Sequence, residues 1–268
     1  MYNKKIKLYF LCGYAFFILL FFLSIIYIIN YFKLKQEDLE ERNLLNSYVI
    51  EDRTNSCEEE KTQTVKEEVT LEKTDRMLKV EDLKKINTDI IGWLEIPNTK
   101  INYPVLQGKD NEYYMTHNYK KEKSKNGAIF LNKDYNFEIP SNNLLIYGHN
   151  MNNGTMFQEL LKYSDKKFYE EHPKIRFTTI DDDSEYEIIA VFKSRVYYKS
   201  EKGVFRYYFF INSESEDEYN KFIENAKRAS LYEIPQTAKF GDELITLSTC
   251  SYHVEDGRFA VVGRKIKD

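Results

Sequence analysis

The sequence predicts a mainly β fold with added helices, a small β-barrel behind an apolar N-terminal segment. Three observations predict it. Short apolar runs bounded by turn residues recur from about residue 90 to the end. A few stretches between them switch to helical spacing, most clearly from Glu216 to Ser230. Ahead of both lies a long uncharged run. Many short strands with few inserted helices are the pattern of a barrel. A length of 268 residues admits one sizeable domain with appendages. The 22 Tyr and 18 Phe suit a β-rich core or a substrate groove, without choosing between them.

From Leu8 to Phe32 no residue is charged, with Lys4, Lys5 and Lys7 before the run and Lys33 and Lys35 after it. At about 1.5 Å per residue the run crosses a hydrocarbon core of roughly 30 Å. A cleaved signal peptide would have a shorter apolar region followed by small residues, and IIYIINYF offers no such site. Residues 8–32 therefore read as an uncleaved membrane anchor and 1–7 as a cytoplasmic tail. Lysines on both flanks give the positive-inside rule little to act on. The placement of the large domain outside rests on the chemistry below. Residues 33–76, rich in Asp and Glu, read as a charged extracellular linker. Residues 77–268 form the folded domain.

Met77, Leu78, Leu83 and Ile86 recur at near-helical spacing, so the domain opens with a helix, ended by Asn87-Thr88-Asp89. Strands follow over Gly92–Ile96 and Lys100–Val105, joined by a turn at Pro97-Asn98. Ala128–Leu131 and Asn143–Tyr147 are two more. Thr155–Tyr163 has a helical pattern with Met156, Leu160 and Leu161 on one side. Lys174–Ile180 and Glu185–Tyr198 return to strand character. Glu216–Ser230 is an amphipathic helix with Tyr219, Phe222, Ile223 and Ala226 at helical spacing, and Ser215 with Glu218 has the form of a capping box. Strands Glu243–Cys250 and Arg258–Ile266 close the chain.

A net charge of −4 and the lack of a Lys/Arg stripe argue against nucleic-acid binding. No cofactor is implied and no metal site, since the linker acids lack the Asp/Asn/Gly spacing of a calcium loop. Three cysteines give no disulfide framework. Cys12 lies in the apolar run and Cys57 in the linker. Cys250 ends the apolar strand LITLSTC and is a candidate nucleophile.

Cysteine catalysis needs a thiolate, a proton carrier, and donors for the oxyanion. Of four histidines, His117 and His172 lie in polar stretches where exposure is the default, and His253 sits in a loop three residues past Cys250. His149 ends an apolar strand directly after Gly148, which permits the turn that throws the next side chain over the sheet edge. Arg258 opens the last strand and offers a permanently charged fork of donors. Near a thiol it lowers the thiol's pKa and binds a developing oxyanion. On spacing alone, a surface ion pair with Glu255 or Asp256 is the stronger reading.

The combination of LSTC, a short loop, GR at the start of the last strand, and an upstream YGHN resembles the sortases. The spacing of eight from Cys250 to Arg258, INYPVLQ at 101–107 and the helix before the Cys strand are similar to class B. The resemblance covers about residues 77–268. It implies an eight-stranded β-barrel with N-terminal helices and a long helix before the Cys strand. It also implies a membrane-anchored cysteine transpeptidase of a Gram-positive surface. Such an enzyme cleaves a C-terminal sorting motif of secreted proteins after its Thr, through a thioacyl intermediate. It passes the acyl group to an amine of a peptidoglycan precursor or a pilin. On the resemblance, Cys250 is the nucleophile, His149 the acid and base, and Arg258 the oxyanion holder. Asn111, Met115, Tyr147 and Ser248 match substrate-binding positions. Some class B members carry an acid two residues after the Cys. Tyr252 stands there, so no acidic third member is implied. Two alternatives stay open: a hydrolytic cysteine protease on the same fold, and a non-catalytic anchored surface domain in which Cys250 is a buried structural thiol.

Overall fold

The computed structural model describes residues 13–33, 35–36, 39, 74–139 and 142–267. The chain divides into two units, Met1–Glu60 and Lys61–Asp268. In the first, helix α1 (Gly13–Lys33) is long and apolar enough to cross a membrane. The tail at 1–7, most of the linker at 33–76, Cys12 and Cys57 lie outside the described residues.

The second unit is a closed barrel of eight strands: β1 (Ile90–Glu95), β2 (Asn102–Leu106), β3 (Ile129–Leu131), β4 (Asn143–Tyr147), β5 (Lys174–Thr178), β6 (Asp183–Arg195), β7 (Leu244–Cys250) and β8 (Gly257–Lys265). Around the barrel the order is β1-β2-β3-β4-β7-β8-β6-β5, and β5 pairs back to β1. Closure removes every unpaired edge. β2–β3 and β4–β7 pair parallel, and the other pairs are antiparallel. Parallel partners need long crossovers. Those crossovers carry two of the helices and the loops that build the site.

Side-chain alternation along each strand separates two cores. In β4, Leu144 and Ile146 join one core with Leu94, Val105, Ile245 and Leu247. Leu145, between them, joins the other with Ile189, Phe192 and Val262. That second core is covered by α4 (Glu216–Ala229), which buries Tyr219, Phe222, Ile223 and Ala226. Each large apolar side chain buried there contributes roughly 1.5–3 kcal/mol. The Ser215 hydroxyl accepts from the Glu218 amide at 3.3 Å, so half of the expected capping box is present. Asn143, fully buried, ties β4 to the loop before α4: its Nδ2 donates to the Phe210 carbonyl at 2.7 Å, and its Oδ1 accepts from the Thr246 hydroxyl at 2.8 Å.

Lys227, in the last turn of α4, donates to the carbonyls of Ile189 (3.2 Å), Gln236 (2.8 Å) and Ile234. Its pKa is lowered by burial, against the pull of Glu233. One ammonium thus joins the helix, β6 and the loop after the helix. Lys227→Met keeps the stem and strands three acceptors. It is expected to lower stability by about 2 kcal/mol, a fall in Tm of roughly 4–8 °C. Thermal unfolding checks it, and an unchanged Tm counts against the tie.

Several elements differ from the sequence expectation. α2 (Asp75–Ile86) forms, capped by Thr74, but buries Val80 and Leu83 while Leu78 and Ile86 stay exposed. It meets β1 partly through two cations: the Lys79 ammonium lies 3.2 Å from the centre of the Trp93 ring, and Arg76 pairs with Glu95 at 3.1 Å. The stretch read as a helix at 155–163 is a 3₁₀ segment, Gln158–Ser164, followed by a short helix α3 (Lys166–Glu171) capped by Asp165. β5 stops at Thr178, where the Thr179 amide turns back to the Asp182 carbonyl. β6 stops at Arg195, because the next two amides bond to the Asp256 carbonyl and the Tyr208 hydroxyl instead of a strand.

Candidate active site

β4 and β7 run parallel with Tyr147 beside Ser248. Past that pair the Gly148 amide donates to the Ser248 carbonyl at 3.2 Å. The Thr249 hydroxyl donates to the Gly148 carbonyl at 2.7 Å. Being parallel, the two strands end at the same rim and deliver His149 and Cys250 side by side. The Asn150 side chain then donates to the Cys250 carbonyl at 3.1 Å and holds the peptide of the thiol residue. β8 returns antiparallel to β7, which sets Arg258 directly opposite Cys250. Gly148 is required here for space rather than for an unusual turn. A Cβ at that position would lie 2.4 Å from Ile129 Cδ1 and 2.8 Å from the Phe157 ring.

All seven residues singled out from the sequence line one cleft of about 210 Å³: Asn111, Met115, Tyr147, His149, Ser248, Cys250 and Arg258. Phe130, Gly148 and Thr249 line it too. Sequence reasoning missed those three as site residues. Phe130 reaches the cleft only through the antiparallel register that pairs it with Tyr147, and the two rings stand 5.4 Å apart.

Arg258 is half-buried and makes no ion pair among the described residues. One guanidinium nitrogen donates to the carbonyls of Asp256 (3.2 Å) and Gly257 (3.0 Å). The surface pairing with Glu255 or Asp256 that spacing favoured is therefore not formed. Backbone carbonyls anchor one arm of the fork and leave the charge uncompensated at the cleft. Its field reaches two tyrosines. Burial raises the pKa of Tyr147 against the Asn132 bond and the Arg258 charge. Burial raises that of Tyr207 further, against its bond to Ser248 and the same charge. Both phenols stay neutral. Tyr147 accepts from Asn132 Nδ2 at 3.2 Å, and the Tyr207 and Ser248 hydroxyls share a hydrogen bond of 2.7 Å.

His149 is held by a backbone group: its Nε2 donates to the Met115 carbonyl at 2.7 Å. Met115 belongs to a 3₁₀ turn, Tyr113–Met115, in the β2–β3 crossover. Asn111, just before it, also serves its loop, accepting from the Lys133 amide at 2.8 Å. The other histidines stand apart from the cleft. His117 stacks on Tyr113 at 4.1 Å between ring centres. His172 is half-buried rather than exposed, its ring bonded to the Pro97 carbonyl at 3.0 Å. His253 bonds to the Ser251 hydroxyl at 2.9 Å. Among the described residues no cluster of three His, Cys, Asp or Glu side chains could hold a metal ion. A thiol, an imidazole and a guanidinium around one largely apolar cleft are the groups that acyl transfer through a thioester requires.

Comparison with known proteins points to one family. The sortase domain family model matches residues 94–266. The chain is 38% identical over 189 residues to Sortase B of Listeria monocytogenes, covering 69% of this chain and 73% of that protein. It is 32% identical over 189 residues to Sortase B of Staphylococcus aureus, covering 70% and 74%. The solved Staphylococcus aureus sortase B–substrate complex superposes with a TM-score of 0.69 at 27% identity, covering 87% of this chain and 99% of that one.

Proposed function

The chain belongs to the sortase family, class B, whose members are cysteine transpeptidases, and on that premise we propose that Cys250, His149 and Arg258 cut a C-terminal sorting motif after its Thr and join the new end to an amine of a peptidoglycan precursor. The observation that carries this reading is the convergence of the three side chains on one cleft from three strand ends.

The Cys250 thiolate attacks the Thr carbonyl carbon, and the carbonyl oxygen takes up negative charge. Arg258, with no carboxylate partner, is the donor for that oxygen. The C–N bond then breaks, and His149 gives its proton to the departing amine. The product is a thioester on Cys250. The acceptor amine attacks the thioester, His149 takes the surplus proton, and the C–S bond breaks to return the thiolate. Asn111, Met115, Tyr147 and Ser248 hold the peptide leading up to the Thr. That the Staphylococcus aureus sortase B is solved as a substrate complex supports a substrate-binding role for this fold. Residues 77–268 carry the chemistry. Helix α1, with the apolar residues before it, anchors the chain in the membrane with its N-terminus inside, and residues 33–76 hold the domain off the surface.

The test uses the full chain in detergent with quenched peptides carrying Thr-containing motifs, with and without a glycine oligomer as amine. A cut after Thr and a product ligated to glycine are expected. A hydrolysed product alone, unchanged by the amine, or a cut at another bond, overturns the proposal. Ligation to a pilin lysine peptide in preference to glycine overturns the choice of acceptor.

A further inference from the structure

We propose that the Met115 carbonyl locks His149 with its proton on Nε2, so that Nδ1 is the nitrogen that trades protons with the substrate amines, and that Gly127 is the positioning residue that lets this carbonyl reach the ring. The inference rests on the reading of His149 as the acid and base.

A carbonyl oxygen has no hydrogen to give. At 2.7 Å from it, Nε2 must carry the proton. That hydrogen bond is satisfied whether the ring is neutral or charged. Nε2 is therefore committed in every step, and Nδ1 alone is left to gain and lose a proton.

The carbonyl is fixed in turn by the turn it belongs to. The Met115 amide donates to the Glu112 carbonyl at 3.0 Å, and the Ala128 amide donates to the Tyr114 carbonyl at 2.8 Å. The Tyr114 side chain is fully buried. Its hydroxyl donates to Asp89 at 2.6 Å and accepts from Asn87 Nδ2 at 3.1 Å. Behind the turn lies Gly127, buried, with φ at +59°. A Cβ there would stand 2.6 Å from the Tyr114 carbonyl oxygen and 2.8 Å from that of Met115. No side chain fits unless the Met115 carbonyl moves, and that carbonyl holds the imidazole. Gly127 does not line the cleft and acts on the reaction only through Met115.

The test labels histidine with ¹⁵N in the full chain in detergent and assigns the His149 signals by their loss in His149→Asn. In the neutral ring, a pyrrole-type Nε2 and a pyridine-type Nδ1 are expected. The reverse pattern overturns the inference on the wild-type protein alone, whatever any variant does. In Gly127→Ala the two tautomers should mix. Its kcat should fall on the order of 10²-fold with KM nearly unchanged. A wild-type tautomer and wild-type kcat in that variant remove Gly127 from the account. If Gly127→Ala does not fold, Tyr114→Phe loosens the same turn without adding a Cβ and is read by the same two signals. His149→Ala separates the two claims: retained ligation in that variant sinks the acid–base reading itself, independently of the tautomer.

Discussion

Cys250→Ala is expected to leave a folded protein that cuts no sorting peptide and forms no covalent adduct. The thiol is half-buried at the end of β7, and the backbone around it is held by groups that do not depend on sulfur. Asn150 binds the Cys250 carbonyl, and Thr249 binds that of Gly148. The fold should therefore tolerate the loss, and the melting temperature should stay near that of the wild type. No neighbouring hydroxyl can stand in. Ser248 is engaged by Tyr207, and the Thr249 hydroxyl donates to a carbonyl. Activity should fall to the uncatalysed background, read by peptide cleavage and intact mass in parallel. Residual cleavage well above background would point to a different nucleophile.

Arg258→Lys is the second large effect. The charge is kept, yet kcat should fall about 10²–10³-fold, the usual consequence of removing an oxyanion donor. The reason is geometric. One arm of the guanidinium is bound to the Asp256 and Gly257 carbonyls, which aims the planar fork. A lysine ammonium is a single point and cannot anchor on the backbone and reach the oxyanion together. KM should change much less than kcat, because the interaction grows as charge develops on the oxygen. Steady-state kinetics with one peptide distinguishes this from a simple binding defect. A variant with lost KM and retained kcat would make Arg258 a docking residue.

The barrel and its chemistry were legible to different depths. LITLSTC and NLLIYGHN read as apolar strands that end at Cys250 and His149, and their parallel pairing makes those ends neighbours. Groove residues such as Asn111 and Met115 entered through family resemblance and line the same cleft. What stayed hidden depends on long-range register or on backbone groups. Phe130 faces the cleft because of its pairing with Tyr147, which no local period encodes. The Met115 carbonyl that holds His149 is a main-chain atom, so residue identity could not signal it. The surface pair expected of Arg258 lost to two carbonyls of its own loop, a choice fixed by how residues 256 and 257 turn. In α2, apolar spacing finds Leu83 but also points to Leu78 and Ile86, which stay exposed, and it does not show Lys79 over Trp93 or Arg76 beside Glu95. The helix α3 is too short for periodicity to reveal, and only its Asp165 cap marks it.

The thioacyl enzyme on Cys250 can be weighed directly by intact-mass spectrometry. The full chain is mixed with a Thr-containing sorting peptide in the absence of an amine, quenched in acid, weighed and mapped. The expected gain equals the peptide up to and including its Thr, less one water. The gain should sit on Cys250 and be discharged when a glycine oligomer is added. Cleavage that proceeds with no adduct, or with an adduct on another residue, would contradict it.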